Sequence, residues 1–402
     1  MDPMNSTPPP RRATETRLTP AAYAVAAAAL AVYAATPTGA AEMVGRFTAT
    51  MAGAICLGGV VLILIIARPD DRGVIDAAAF RAHLVVERLS VVWAVVALMM
   101  IVVQAAADAG VAVTRLLGSG KLTAAIGASE TSRAWVLVAV CAIVIAIASR
   151  LSLRWEWHVP LLIPSIVGVV AVAVTGDAGQ GPNHDYATSS AIVFAVAISV
   201  WAGLMVVGAA TPVDTAARGR VGLAAATAAA VALGYGSLLL TLRAGVGDLL
   251  GSPYGRLGLF IGVALAACLT VRRMSTGLPG AVVAIAAMAA WAAMAAQTAP
   301  RLLATKPTVW DILLGYQLPG APTPSLLLSF WRFDTFLGAG ALVLGGAYVF
   351  GVTRLHRRGD RWPIGRTLSW LAGCTAMFFA TGSGVRSYGS AMFSMHMVEH
   401  MT

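Results

Sequence analysis

Charge is what this sequence has least of. Only 11% of its 402 residues are charged and 58% are hydrophobic, whereas a soluble domain carries about 25% charged residues. That excludes a soluble globular protein and a disordered chain, both of which rely on solvated charge. Cysteine is scarce as well. Cys56, Cys141, Cys268 and Cys374 lie far apart inside apolar runs, which excludes a disulfide framework and a CxxC site. They read as small buried hydrophobes. Of the 28 basic residues only two are lysines, Lys121 and Lys306. No P-loop, GxSxG or CxxCH motif occurs, so no enzyme is expected. The net charge is +10, yet no soluble platform exists on which nucleic acid could be bound. The expected partner is the lipid bilayer.

What is abundant is long apolar runs. A spanning helix needs about 20 such residues, and the runs fall near 20–36, 47–67, 88–108, 134–150, 159–175, 188–210, 221–242, 257–271, 279–298, 334–354 and 367–384. The prediction is an all-α polytopic transmembrane bundle of about eleven full spans, since backbone groups in hydrocarbon must be satisfied internally and no barrel pattern appears. Residues 1–19 read as a mobile cytoplasmic tail. Residues 20–36 look partly like a signal-peptide core, but the many spans that follow favour a retained first helix. A twelfth apolar segment starts near Tyr388 and reaches Thr402. Its length of about 22 Å is short of a hydrocarbon core of about 30 Å. The expectation is therefore a truncated portion of a longer protein.

The arginines orient the bundle. The strongest cluster is Arg354, Arg357, Arg358, Arg361 and Arg366 in one short loop, which by the positive-inside rule is cytoplasmic. This places the N-terminus in the cytoplasm and the segments 176–187 and 299–333 outside. The second of these, with Trp310, Asp311, Tyr316 and Trp331, divides a nine-helix block at 20–298 from a second block at 334–402. Tyr348, Trp362, Trp370 and Tyr388 read as interfacial aromatics, and Tyr254 with Arg256 as an interfacial anchor. Asp334 reads as a helix N-cap.

The sharpest chemical feature is the stretch AMFSMHMVEHMT. His396 and His400 are four apart and share one helix face, as do Met397 and Met401. Imidazole and thioether together suit copper, and imidazole also suits zinc. Three readings stand side by side: a hydrogen-bonded pair beside packing methionines, an H-x-x-E-H zinc protease with Glu399 as base, and copper handling. A weaker metal set is Asp177, His184 and Asp185 in the outer loop, where an acid can orient a histidine; a solvated turn explains the same residues.

Residues 329–401 carry W-R-x-D, then Y-x-x-G-V-x-R-L with R-R-G-D-x-W-P, then Y-G-x-x-x-F-S-x-H-M-x-x-H-M. This pattern resembles the CtaG family of cytochrome c oxidase assembly proteins. The resemblance implies His396, Met397, His400 and Met401 as candidate copper ligands, with Glu399 standing where glutamine is expected. The first block, through TGDAG at 175–179, SVWAGLMVVGA at 199–209 and SPYGRLGLF at 252–260, resembles the CopD family of copper-resistance membrane proteins. Asp177, Phe194 and Ile261 stand where that family carries two histidines and a lysine. Together these imply a bacterial inner-membrane protein that handles copper during oxidase assembly, with oxidase subunits or a copper chaperone as partners. The alternative is a metal-free structural or partner-binding subunit. A solute transporter would need mid-span charge, which is nearly absent.

Overall fold

Runs of Ala, Val, Leu and Ile without a period of two leave each segment one way to pair its backbone in lipid, the α-helix. A computed structural model describes residues 39–270, 277–304 and 306–401. The expected tail 1–19 and the expected span 20–36 lie outside the described residues. Among the described residues, eight principal helices and two short ones build the first block: α1 (Ala40–Ile66), α2 (Ala77–Asp108), the short α3 (Val113–Gly118) and α4 (Leu122–Ala128), then α5 (Glu130–Leu151), α6 (His158–Ala171), α7 (His184–Ala210), α8 (Thr215–Arg243), α9 (Pro253–Thr270) and α10 (Leu278–Met294). Three short helices follow, α11 (Pro300–Ala304), α12 (Val309–Leu313) and α13 (Pro324–Ser329). The second block holds α14 (Leu337–Arg357), α15 (Ile364–Gly382), α16 (Gly384–Gly389) and α17 (Phe393–Met401).

Seven of these helices are long and apolar enough to cross a membrane: α1, α2, α5, α7, α8, α9 and α14; Trp155–Ala171 and α10 are apolar but shorter. Their outward faces carry bare hydrophobes, among them Met99 at 63%, Ile163 at 68% and Val263 at 67% exposure. A soluble protein does not leave such faces open to water, whereas lipid covers them at no cost. α1 is the central helix. It packs against α2, α6, α7 and α10, and most of its length is buried. Its closest neighbour is α7, where a Cβ on Gly58 would stand 2.5 Å from the Gly203 Cα. Such contact between small residues lets backbones approach where no hydrophobic effect drives association.

Two expectations about the second block change. The apolar segment expected to start near Tyr388 is broken: Tyr388 lies in α16, and a separate helix begins at Phe393. Tyr388 is also not an interfacial aromatic. It is 1% exposed, and its hydroxyl donates to the Gly320 carbonyl at 2.9 Å. A buried phenol needs that acceptor, and the bond fastens the connecting segment to α16. Tyr348 and Trp370 stack at 5.4 Å, and Trp362 Nε1 donates to the Tyr348 hydroxyl.

The connecting segment lies on the end of the bundle that carries the 172–183 loop, called here the loop end. The Asn183 N–H donates to the Gly315 carbonyl at 2.6 Å, and the Tyr316 hydroxyl donates to the Ser387 carbonyl at 2.9 Å. At the opposite end, Val74 and Arg154 form a single antiparallel bridge, and Arg68 pairs with Asp214.

Candidate functional site

α17 sits close against α16 because residue 389 is glycine: a Cβ there would meet Glu399 Oε2 at 2.5 Å. One helical turn separates His396 from His400, and their rings meet edge to face with Nε2 atoms 3.1 Å apart. Both rings are exposed. Two imidazole nitrogens at that separation suit either a shared proton or two bonds of about 2.0–2.1 Å to one ion. Glu399 is turned the other way. Its Oε1 lies 3.5 Å from Arg386 Nε, and its Oε2 lies 4.0 Å from His396 Nδ1. Met397 and Met401 stand on the neighbouring face, 45% and 86% exposed. No cluster of three His, Cys, Asp or Glu able to hold a metal occurs among the described residues. The two imidazoles and the two exposed thioethers on the same short helix thus form an open cluster rather than a closed cage.

The loop set is given separate partners. Asp185 receives Arg332 in a bidentate fork, with Nη2 donating to Oδ1 at 3.0 Å and Nε donating to Oδ2 at 3.2 Å. Arg332 also reaches Asn183 Oδ1 at 3.2 Å and lies between the rings of Tyr186 and Tyr316. Asp177 Oδ2 accepts the Ala299 N–H at 2.5 Å. Burial pushes its carboxyl above the usual range, while that N–H and Arg243 oppose the rise. His184 Nε2 is buried without a hydrogen-bond partner among the described residues. Asp334, expected as a helix N-cap, instead lies in the turn before it: the N-cap of α14 is Phe336, and the Asp334 carboxylate accepts the Phe336 and Leu337 N–H groups from that turn.

Two arrangements carry no sequence signal. Asp185 and Arg332 are 147 residues apart. Buried His83 Nδ1 and His158 Nε2 face each other at 3.0 Å across 75 residues, on α2 and α6. His158 Nδ1 lies 3.1 Å from the Arg154 carbonyl, which fixes that nitrogen as the donor and leaves Nε2 as an acceptor. Tertiary packing alone places either pair: the docking of α2 on α6 for the histidines, and the non-helical segment between α13 and α14 lying on α7 for Asp185 and Arg332.

Residues 346–402 match the family described as cytochrome c oxidase caa3 assembly factor. The match covers α17 and most of α14 together with α15 and α16. An uncharacterized protein of Mycobacterium bovis is 48% identical over 375 residues, covering 90% of this chain and 56% of that protein. Uncharacterized proteins of Mycobacterium tuberculosis and Mycobacterium leprae are 48% and 46% identical, with the same 90% and 56% coverage. The chain therefore spans about half the length of the curated relatives it matches. No solved structure matches the chain.

Proposed function

We propose that this chain belongs to a bacterial inner-membrane protein that aids cytochrome c oxidase assembly by holding copper at His396 and His400. Met397 and Met401 act as exchangeable soft ligands. The observation that carries this reading is the 3.1 Å approach of the two Nε2 atoms within the segment that matches the assembly-factor family. The topology supports the placement. α17 packs on α16, which the connecting segment ties to the loop end, so the pair lies at the end expected to face outward. A copper ion with few fixed ligands is held loosely enough to pass to an oxidase subunit or a copper chaperone. The role is transfer rather than catalysis. The CopD-like resemblance of the first block makes it a scaffold for that handover.

The alternative, a metal-free partner-binding subunit, is favoured by the lack of a three-ligand cluster among the described residues. Cells lacking the gene and complemented with wild type, His396→Ala or His400→Ala separate the two. Copper handling predicts oxidase with low copper in both variants, restored by added copper. Full assembly in both variants, with the protein still co-purifying with oxidase, selects the metal-free subunit.

A further inference from the structure

At the loop end, α1, α2, α5, α6, α7, α8, α9 and α10 surround a cavity of about 410 Å³. This lies within the range of small-molecule sites, which fall at roughly 300–1,000 Å³. Its walls are aromatic. Trp93 packs against Gly53 and Gly168, where a Cβ would come within 2.8 and 2.6 Å of the ring. Phe194 and Trp291 meet edge to face at 5.5 Å, and both line the same space.

The polar groups of the wall are unbalanced in a particular way. Arg46 Nε, Arg243 Nε and Trp135 Nε1 are buried without a hydrogen-bond partner among the described residues. All three side chains line the cavity and are at least nine-tenths buried. Each of these atoms only donates. The acidic side chains of the wall are already engaged. Glu42 receives Arg46. Asp108 receives Gln104 at 2.8 Å and the Ser129 hydroxyl. Asp177 receives the Ala299 N–H. Buried donors left open are costly, and the occupant that relieves them must bring acceptor oxygens. Tyr254, expected as an interfacial anchor with Arg256, is instead buried and lines this cavity; Arg256 alone stays exposed.

We propose that this cavity binds a small amphipathic carboxylate, its oxygens on Arg46, Trp135 and Arg243 and its apolar chain against Trp93, Phe194 and Trp291. The site lies in the first block and does not depend on the histidine pair or on copper. The test is calorimetric titration of the full chain in lipid nanodiscs, with empty nanodiscs subtracted. The probes are decanoate, decan-1-ol with the same chain but no carboxylate, and acetate with the carboxylate but no chain. Expected are saturable binding of decanoate at one per chain, binding at least tenfold weaker for each of the other two probes, and a roughly tenfold loss of decanoate affinity in Arg46→Gln. Trp135→Phe, which deletes one donor with little change of volume, is the second variant and is read if Arg46→Gln does not fold; a severalfold loss is expected. No saturable binding to the folded wild type, which would leave the donors to water alone, overturns the proposal. So does equal binding of decanoate and decan-1-ol, or unchanged affinity in the folded variant.

Discussion

At the scale of single residues, the ion pair between Asp185 and Arg332 joins the first block to the segment leading into the second. The fork is geometrically demanding, and the Arg332 side chain is only 16% exposed. Arg332→Lys keeps the charge but loses the bidentate contact and the stacking between two tyrosines. It is expected to cost about 2 kcal/mol, read as a fall in thermal midpoint of the solubilised protein; an unchanged midpoint would show the fork to be incidental. The Thr308–Asp311 capping box gives a pH-dependent counterpart. The Thr308 N–H and hydroxyl hold the Asp311 carboxyl below its ordinary value of 3.8. Its contribution to α12 is thus complete above pH about 4 and fades as pH falls through the lower folded value. The protection factors of the Thr308 and Asp311 amides, taken relative to intrinsic exchange at each pH, should fall only on acidification below that point; a fall between pH 5 and 7 would contradict the assignment. The spacing of His396 and His400 was legible because helix geometry alone brings residues four apart together. The pairs His83–His158 and Asp185–Arg332 were not, because the first depends on how α2 and α6 dock and the second on how the non-helical segment before α14 folds back onto α7.

At the scale of elements, hydropathy located the helices but not their ends. α2 begins at Ala77, eleven residues before the apolar run at 88–108, because Asp76 accepts the Ala79 N–H and caps charged turns that extend beyond the lipid-facing stretch. The opposite happens after α6. The expected span 159–175 stops at Ala171, and the backbone beyond it turns over Arg243, whose Nη2 donates to the Ala178 carbonyl at 3.0 Å. A buried guanidinium there needs carbonyl acceptors that a continuing helix would keep for itself. The contact of α1 with α7 makes a sharp prediction. Gly203→Val is expected to cost about 3 kcal/mol or to block folding, while Gly208→Val, whose Cβ would meet nothing nearer than 4.0 Å, should leave the thermal midpoint nearly unchanged. Equal tolerance of the two would contradict the close crossing.

At the scale of the whole molecule, the chain is a helical membrane bundle with different polar groups at its two ends. The loop end holds the carboxylate cavity, the Asp185–Arg332 fork and the histidine pair; the other end holds the arginine-rich loop around 354–366. Composition made this class legible, and the arginine asymmetry supplied the expected orientation. Cysteine labelling tests that orientation. A cysteine placed at Gly320 should react with an impermeant reagent from outside the cell, and one at Gly359 should react only after lysis; the reverse pattern would put the histidine pair on the cytosolic side, away from an outward handover.

The most direct test of the copper assignment is metal analysis of the purified protein after loading with Cu(I) and removal of loosely held ion. Wild type is expected to retain one copper per chain, and His396→Ala and His400→Ala each to lose most of it while staying folded. Equal copper in all three proteins, or none in wild type, would contradict the account.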